Sequence, residues 1–161
     1  MVLVISTDKG LCGPLNTNLA RKLRAVTSPD ADYVTVGRKL RVLLEKLGSN
    51  VIADFVVKDP VPFAQTRPIA KFLTEQFLSG KYDKVSIAFT NFVNTLRQEP
   101  EVVTLLPIRE QANAEVFGAE TVTADREHDF AFDAVQRCIE SVDAGGKAQL
   151  VYGQRFDCDR S

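Results

Sequence analysis

A surplus of positive charge is missing from this chain of 161 residues: 20 lysines and arginines face 21 aspartates and glutamates, for a formal net charge of −1. With no global basic excess to neutralise phosphates, composition argues against a nucleic-acid partner. Cysteine is also scarce. Cys12, Cys138 and Cys158 are odd in number, far apart and form no C-x-x-C pair, so they signal neither a disulfide framework nor a zinc site, and a reducing compartment fits best. Long apolar runs are lacking too. The longest, Met1 to Ile5 and Val102-Val103 with Leu105-Leu106, fall far below the roughly 20 residues a membrane helix needs. Nothing resembles a secretory signal, an internal repeat or a low-complexity tract.

What is present is ordinary for a globular chain, with 45% hydrophobic and 25% charged residues. A chain of this size is about one domain's worth and buries roughly two thirds of its unfolded surface, enough for a core without staples. The sequence opens directly on an apolar run, Leu3-Val4-Ile5, with no polar leader before it. That start is expected of a piece cut from something longer.

The organising stretch is Leu3 to Leu19. A short apolar run turns at Gly10, Gly13 and Pro14 and continues into a helical repeat, the pattern of a buried strand feeding a helix. Leu15, Leu19, Leu23 and Val26 mark the helix, Arg21, Lys22 and Arg24 lie around the rest of its turn, and Ser28-Pro29-Asp30 breaks it. Tyr33 to Val36 reads as a second strand. Leu40, Leu43, Leu44 and Leu47 then form the stripe of a second helix, expected to be buried and closed by Gly48. Val51 to Val57 supplies a third strand. A connection crowded by Pro60, Pro62 and Pro68 leads to a third helix striped by Ile69, Phe72, Leu73 and Phe77 and ended at Ser79-Gly80.

Strand and helix alternate up to this point, which implies parallel strands with crossovers and helices on both faces. Lys84 to Phe92 and Glu101 to Leu106 are two further strands, joined by a link through Gln98-Glu99-Pro100 too short for a crossover helix. They should pair antiparallel at one edge of the sheet. The fold class is therefore α/β, a three-layer, Rossmann-like, mostly parallel sheet with an antiparallel edge hairpin. Residues 1–108 form the globular domain, and 109–161 are a weaker extension in which Phe132, Val135, Ile139 and Val142 allow one short helix before Gly145-Gly146.

Chemistry is hard to find. A phosphate loop needs G-x-x-x-x-G-K-S/T or G-x-G-x-x-G, because several N–H groups must converge on the anion. Gly10 and Gly13 are two glycines only, Pro14 removes an N–H, and Gly37-Arg38-Lys39 stands where a ribose-binding acid would follow the second strand. Cys12 lies near a helix start, where a thiolate is favoured, yet no general base is close in sequence and the single histidine, His128, lies in the least patterned segment. Packing is the expected role of Cys12. Asp8 and Lys9 read as turn residues, and Asn16 or Asn18 as helix caps. The basic set Arg21, Lys22, Arg24, Arg38, Lys39 and Arg41 reads as a solvated helix surface or a face toward an acidic partner. No catalytic, cofactor or metal residue is assigned.

The run Ser6-Thr7-Asp8-Lys9-Gly10-Leu11-Cys12-Gly13, followed by Leu15-Asn16-Thr17-Asn18-Leu19, resembles the signature of the gamma subunit of F-type ATP synthases in its bacterial form. A second block agrees in order and spacing: Gly80-Lys81-Tyr82-Asp83-Lys84-Val85, Asn91-Phe92-Val93-Asn94-Thr95, Gln98-Glu99-Pro100 and Leu105-Leu106-Pro107. Lys9 stands where the family usually has Arg, and Pro14 where it usually has Gly. The resemblance implies a Rossmann-like domain at the foot of a central stalk that couples proton transport to ATP synthesis without being the catalyst. It also implies docking to the epsilon subunit and the c-subunit ring, and a place on the cytoplasmic face of the bacterial inner membrane. The family's two long terminal helices, which enter the alpha/beta hexamer, have no counterpart in this sequence, so this stretch alone is not expected to enter it. The opposing expectation is a small Rossmann-like enzyme or ligand-binding protein using the Cys12 turn.

Overall fold

The computed structural model describes residues 1–7, 14–57, 63–94, 96–107, 131, 134–140 and 142. Strands β1 (Val2–Ile5), β2 (Asp32–Val36), β3 (Asn50–Phe55), β4 (Val85–Phe92) and β5 (Gln98–Leu106) alternate with helices α1 (Leu15–Val26), α2 (Arg38–Lys46) and α3 (Phe63–Leu78) until the last two strands follow each other directly. They form one sheet in the order β3-β2-β1-β4-β5. The first four strands run parallel, and β5 pairs antiparallel with β4. The expected α/β class with an antiparallel edge is what forms.

Every residue of β1 is buried, as a strand covered on both faces requires. Its alternate side chains feed two cores. Leu3 and Ile5 join Val34, Val36, Val85, Ile87 and Phe89 on a first face covered by Ile69 and Leu73 of α3 and by Ala134, Val135, Cys138 and Ile139 of the helical residues 134–140. Val2 and Val4 join Tyr33 and Ala88 on the second face, under Leu19, Ala20 and Leu23 of α1 and Leu40 and Leu44 of α2. Here α1 lies over β4 and β5, and α2 over β2 and β3.

Local sequence sets the helix ends. Thr27 closes α1 by returning its N–H and its hydroxyl to the Leu23 carbonyl, at 2.9 and 2.7 Å. At the end of α2, Gly48 (φ 76°) donates to Glu45 and Ser49 to Leu44, a Schellman closure that a positive φ at this position permits. The stripe of α2 is only partly buried, contrary to the expectation for its four leucines. Leu40 and Leu44 are in the core, Leu43 is half-buried and Leu47 is 45% exposed, because the helix stops at Lys46 and carries Leu47 to the rim.

Two prolines expected in connections lie inside elements instead. Pro68 is within α3, where its missing N–H deprives the Ala64 carbonyl of its helical partner. Both residues face water, which can take over that bond. Pro100 is within β5, opposite Thr90. The hairpin turn is correspondingly tighter than expected: Val93 donates to Arg97, and Asn94 Oδ1 accepts from the N–H groups of Leu96 and Arg97 at 2.9 and 2.8 Å. Counting from the bonded pair Val93–Arg97, Pro100 falls at a non-bonded position, so its nitrogen faces away from β4. An edge strand tolerates that.

Candidate functional site

Strand order changes direction between β1 and β4, and in open α/β sheets ligands meet the chain at the carboxyl ends of strands flanking such a point. The turn residues weighed most heavily in the sequence, Asp8, Lys9, Gly10, Cys12 and Gly13, lie outside the described residues, as do His128 and Cys158. Their flanks are described and are occupied with one another. Ser6 donates its N–H to the Val36 carbonyl at 2.8 Å, and its hydroxyl lies 3.2 Å from the carbonyls of both Val36 and Gly37. Gly37 has φ of 97°, and a Cβ there would fall 2.3 Å from the Ser6 carbonyl oxygen. Only glycine lets β2 pass so close to β1 before α2 begins.

Side chains around the reversal are similarly engaged. Asn16 donates to the Thr7 hydroxyl at 3.1 Å, and Asn91 donates to Glu101 at 2.9 Å. The helix cap expected of Asn16 or Asn18 is not formed. Pro14 takes the N-cap position, no side chain caps the helix, and Asn18 instead gives its N–H to the Pro14 carbonyl at 2.8 Å. Among the described residues no three His, Cys, Asp or Glu side chains gather as metal ligands would. Cys138 is buried against the first face, where burial, reinforced by the Glu101 charge, pushes its thiol far above its ordinary value. Such a thiol is inert and serves packing.

At the opposite end of the sheet, Asp32 ties strands together by accepting from Tyr82 at 2.5 Å and from Asn50 at 2.6 Å. Those two bonds hold its carboxyl below the usual range, Tyr82 contributing most. Partial burial, with the bond to Asp32, raises the Tyr82 phenol. This knot fastens the starts of β2 and β3 to the approach of β4.

The basic set is split by the structure. Arg41 is anchored, donating to Glu45 at 2.9 Å and to Asp54 at 2.7 Å, while Thr35 holds the other Asp54 oxygen at 2.8 Å. Arg21 and Arg24 instead border an open groove of about 510 Å³ between α1 and α2, lined also by Thr17, Ala20, Ala25, Leu43 and Leu47. Sequence reading found the arginines and missed the groove. Its signal was Leu47, which ends the α2 stripe just before the helix-closing Gly48.

A family model described as ATP synthase matches residues 1–142. The chain belongs to the ATP synthase gamma-chain family. It is 40% identical over 108 residues to the ATP synthase gamma chain of Akkermansia muciniphila, covering 67% of this chain and 37% of that one. It is 39% identical over 148 residues to the gamma chain of Methylacidiphilum infernorum, covering 88% and 50%. The chain thus spans half or less of the length of these relatives. Its fold is shared with a chain from the central stalk and c-ring structure of Tetrahymena thermophila mitochondrial ATP synthase, with a TM-score of 0.74, 18% identity, and coverage of 97% of this chain and 76% of that one. Membership in the gamma-chain family does not favour the enzyme alternative built on Cys12. No helix among the described residues is long and apolar enough to cross a membrane.

Proposed function

We propose that this chain is the globular domain of a bacterial gamma chain, a rotor element of the central stalk that links proton transport to ATP synthesis through subunit contacts and performs no chemistry itself. The match of residues 1–142 to the family carries this reading. Its support in the fold is that the described polar groups flanking β1 and the start of α1, Ser6, Thr7 and Asn16, are spent on bonds within the domain. Its partners are the epsilon subunit and the c-subunit ring, which hold it at the cytoplasmic face of the inner membrane. Contact with the alpha/beta hexamer belongs to long terminal helices in the remaining length of a full gamma chain.

Calorimetric titration of the purified chain with the epsilon subunit of the same organism tests the reading. Saturable one-to-one binding is expected. A cooperatively folded chain that shows no heat and no co-elution with epsilon overturns the epsilon assignment.

A further inference from the structure

The groove between α1 and α2 combines three observations that the gamma-chain reading does not use. Along α1, its wall is built by Thr17, Ala20, Arg21, Arg24 and Ala25, spaced i, i+3, i+4, i+7 and i+8; along α2, by Leu43 and Leu47 at i and i+4. Those are the ridges of two neighbouring helices, and the furrow between such ridges accepts the ridge of a third helix. The wall on α1 runs along a helix of 12 residues, about 18 Å or three turns.

The furrow is apolar where a guest would rest, lined by Ala20, Ala25, Leu43 and Leu47, the last 45% exposed just past the end of α2. Charge then selects the guest. α1 carries Arg21, Lys22 and Arg24 with no acidic residue; α2 carries Arg38, Lys39, Arg41 and Lys46 with Glu45 alone. Each helix therefore nets +3 in a chain whose net charge is −1. Glu45 is committed to Arg41, and Arg21 and Arg24 form no ion pair among the described residues.

We infer that this groove docks an amphipathic helix of a partner protein whose apolar stripe is flanked by acidic residues. Its leucine-like side chains sit between Ala20, Ala25, Leu43 and Leu47, and its carboxylates reach Arg21 and Arg24 at the border. A second copy of this chain fits poorly, because the same face would bring like charge against like charge. A flat anionic lipid surface would meet the crests of the two helices and leave the apolar furrow unfilled.

The test is a nuclear magnetic resonance titration of the purified, isotope-labelled chain with a synthetic peptide of about 18 residues, long enough to form a helix, bearing leucines at i, i+3, i+4 and i+7 with glutamates beside them. A scrambled peptide of the same composition and vesicles of phosphatidylglycerol are the comparison arms. The patterned peptide should shift the amides of Ala20, Ala25, Leu43 and Leu47 and bind at least about tenfold tighter than the scrambled one. The double substitution R21E/R24E, on exposed positions, should weaken it by about tenfold or more while the circular dichroism melt is retained. Equal binding of the scrambled peptide, shifts elsewhere on the surface, indifference to R21E/R24E, or binding to vesicles with none to the patterned peptide overturns the inference. Because the probe is unrelated to epsilon, its outcome stands apart from the epsilon titration.

Discussion

Both faces of the sheet bury apolar residues of β1, β2 and β4, and they differ in what they do with the outside of their helices. On the first face, Ile69 and Leu73 of α3 and Val135, Cys138 and Ile139 of the helical residues 134–140 extend one apolar cluster across β1, β2, β4 and β5. On the second, a smaller cluster lies beneath α1 and α2, and apolar side chains continue past it to the solvent side at Leu43 and Leu47. The difference teaches where this domain spends its hydrophobic residues. One face closes the fold; the other closes it and keeps an apolar furrow beside Arg21 and Arg24, which form no ion pair among the described residues.

The largest effect that could sharpen this contrast is removal of the late helical residues. Ending the chain after Ile108 takes Ala131, Ala134, Val135, Cys138, Ile139 and Val142 from the first face. Each of the larger ones contributes about 1.5 to 3 kcal/mol by burial, against a whole-domain stability of about 5 to 15. The shortened chain should lose its cooperative denaturant transition, and retention of a sharp one with unchanged midpoint would show that the first face closes without them.

Smaller, and aimed at the contrast itself, is a pair of leucines. Leu73→Ala, at a fully buried site on the first face, should cost about 2 to 5 kcal/mol in urea unfolding. Leu47→Ala, on the rim of the second, should stay within about 0.5 kcal/mol. Comparable losses at the two positions would mean that Leu47 is core and that the groove is no free surface. Gly37→Ala comes next. The added Cβ meets the Ser6 carbonyl and takes a left-handed conformation unsuited to alanine, for about 1 to 3 kcal/mol, and the disturbance should centre on α2. Hydrogen exchange should quicken in α2 before α3; uniform quickening would deny that the faces respond separately.

The least expected effect belongs to a tie lying at the sheet end. Tyr82→Phe removes the stronger of the two bonds that hold the Asp32 carboxyl down, at a cost of up to about 1 kcal/mol for so open a site. A depressed carboxyl contributes stability that is complete above its ordinary value near 3.9 and lost as pH falls through its folded value. The variant should therefore trail the parent at pH 7 and converge with it as pH falls below the ordinary carboxyl value and through the folded value of Asp32. At the alkaline end the raised phenol works the other way: its contribution is whole below about pH 10 and lost as pH rises through its folded value. A deficit that persists unchanged in acid would remove Asp32 from the account.

Most of the fold was legible because its signals are local. Alternating strand and helix stripes, Ser28-Pro29 after α1 and Gly48 after α2 placed the first elements, and the short link after β4 implied the antiparallel edge. Misplacement occurred at prolines. Pro68 and Pro100 read as breakers, yet Pro68 sits where the Ala64 carbonyl it leaves unpaired is exposed to water, and Pro100 where its nitrogen faces away from β4, properties of neighbours that local sequence does not carry. The full burial expected for Leu43 and Leu47 failed at the end of α2, which stops at Lys46, leaves Leu43 half-buried and carries Leu47 to the rim. The basic residues of the groove could be seen in the sequence and the furrow between them could not, because a groove is a relation between two helices.

Pro100 has one more consequence. A sheet with free edges can recruit further strands, its own or another chain's, into a growing ribbon. On the β5 side, the proline nitrogen faces outward without a hydrogen to give, and Glu99 and Glu101 flank it with charge. A visiting strand would find a missing rung there, so among the described residues β3 is the edge that offers a strand the fuller ladder.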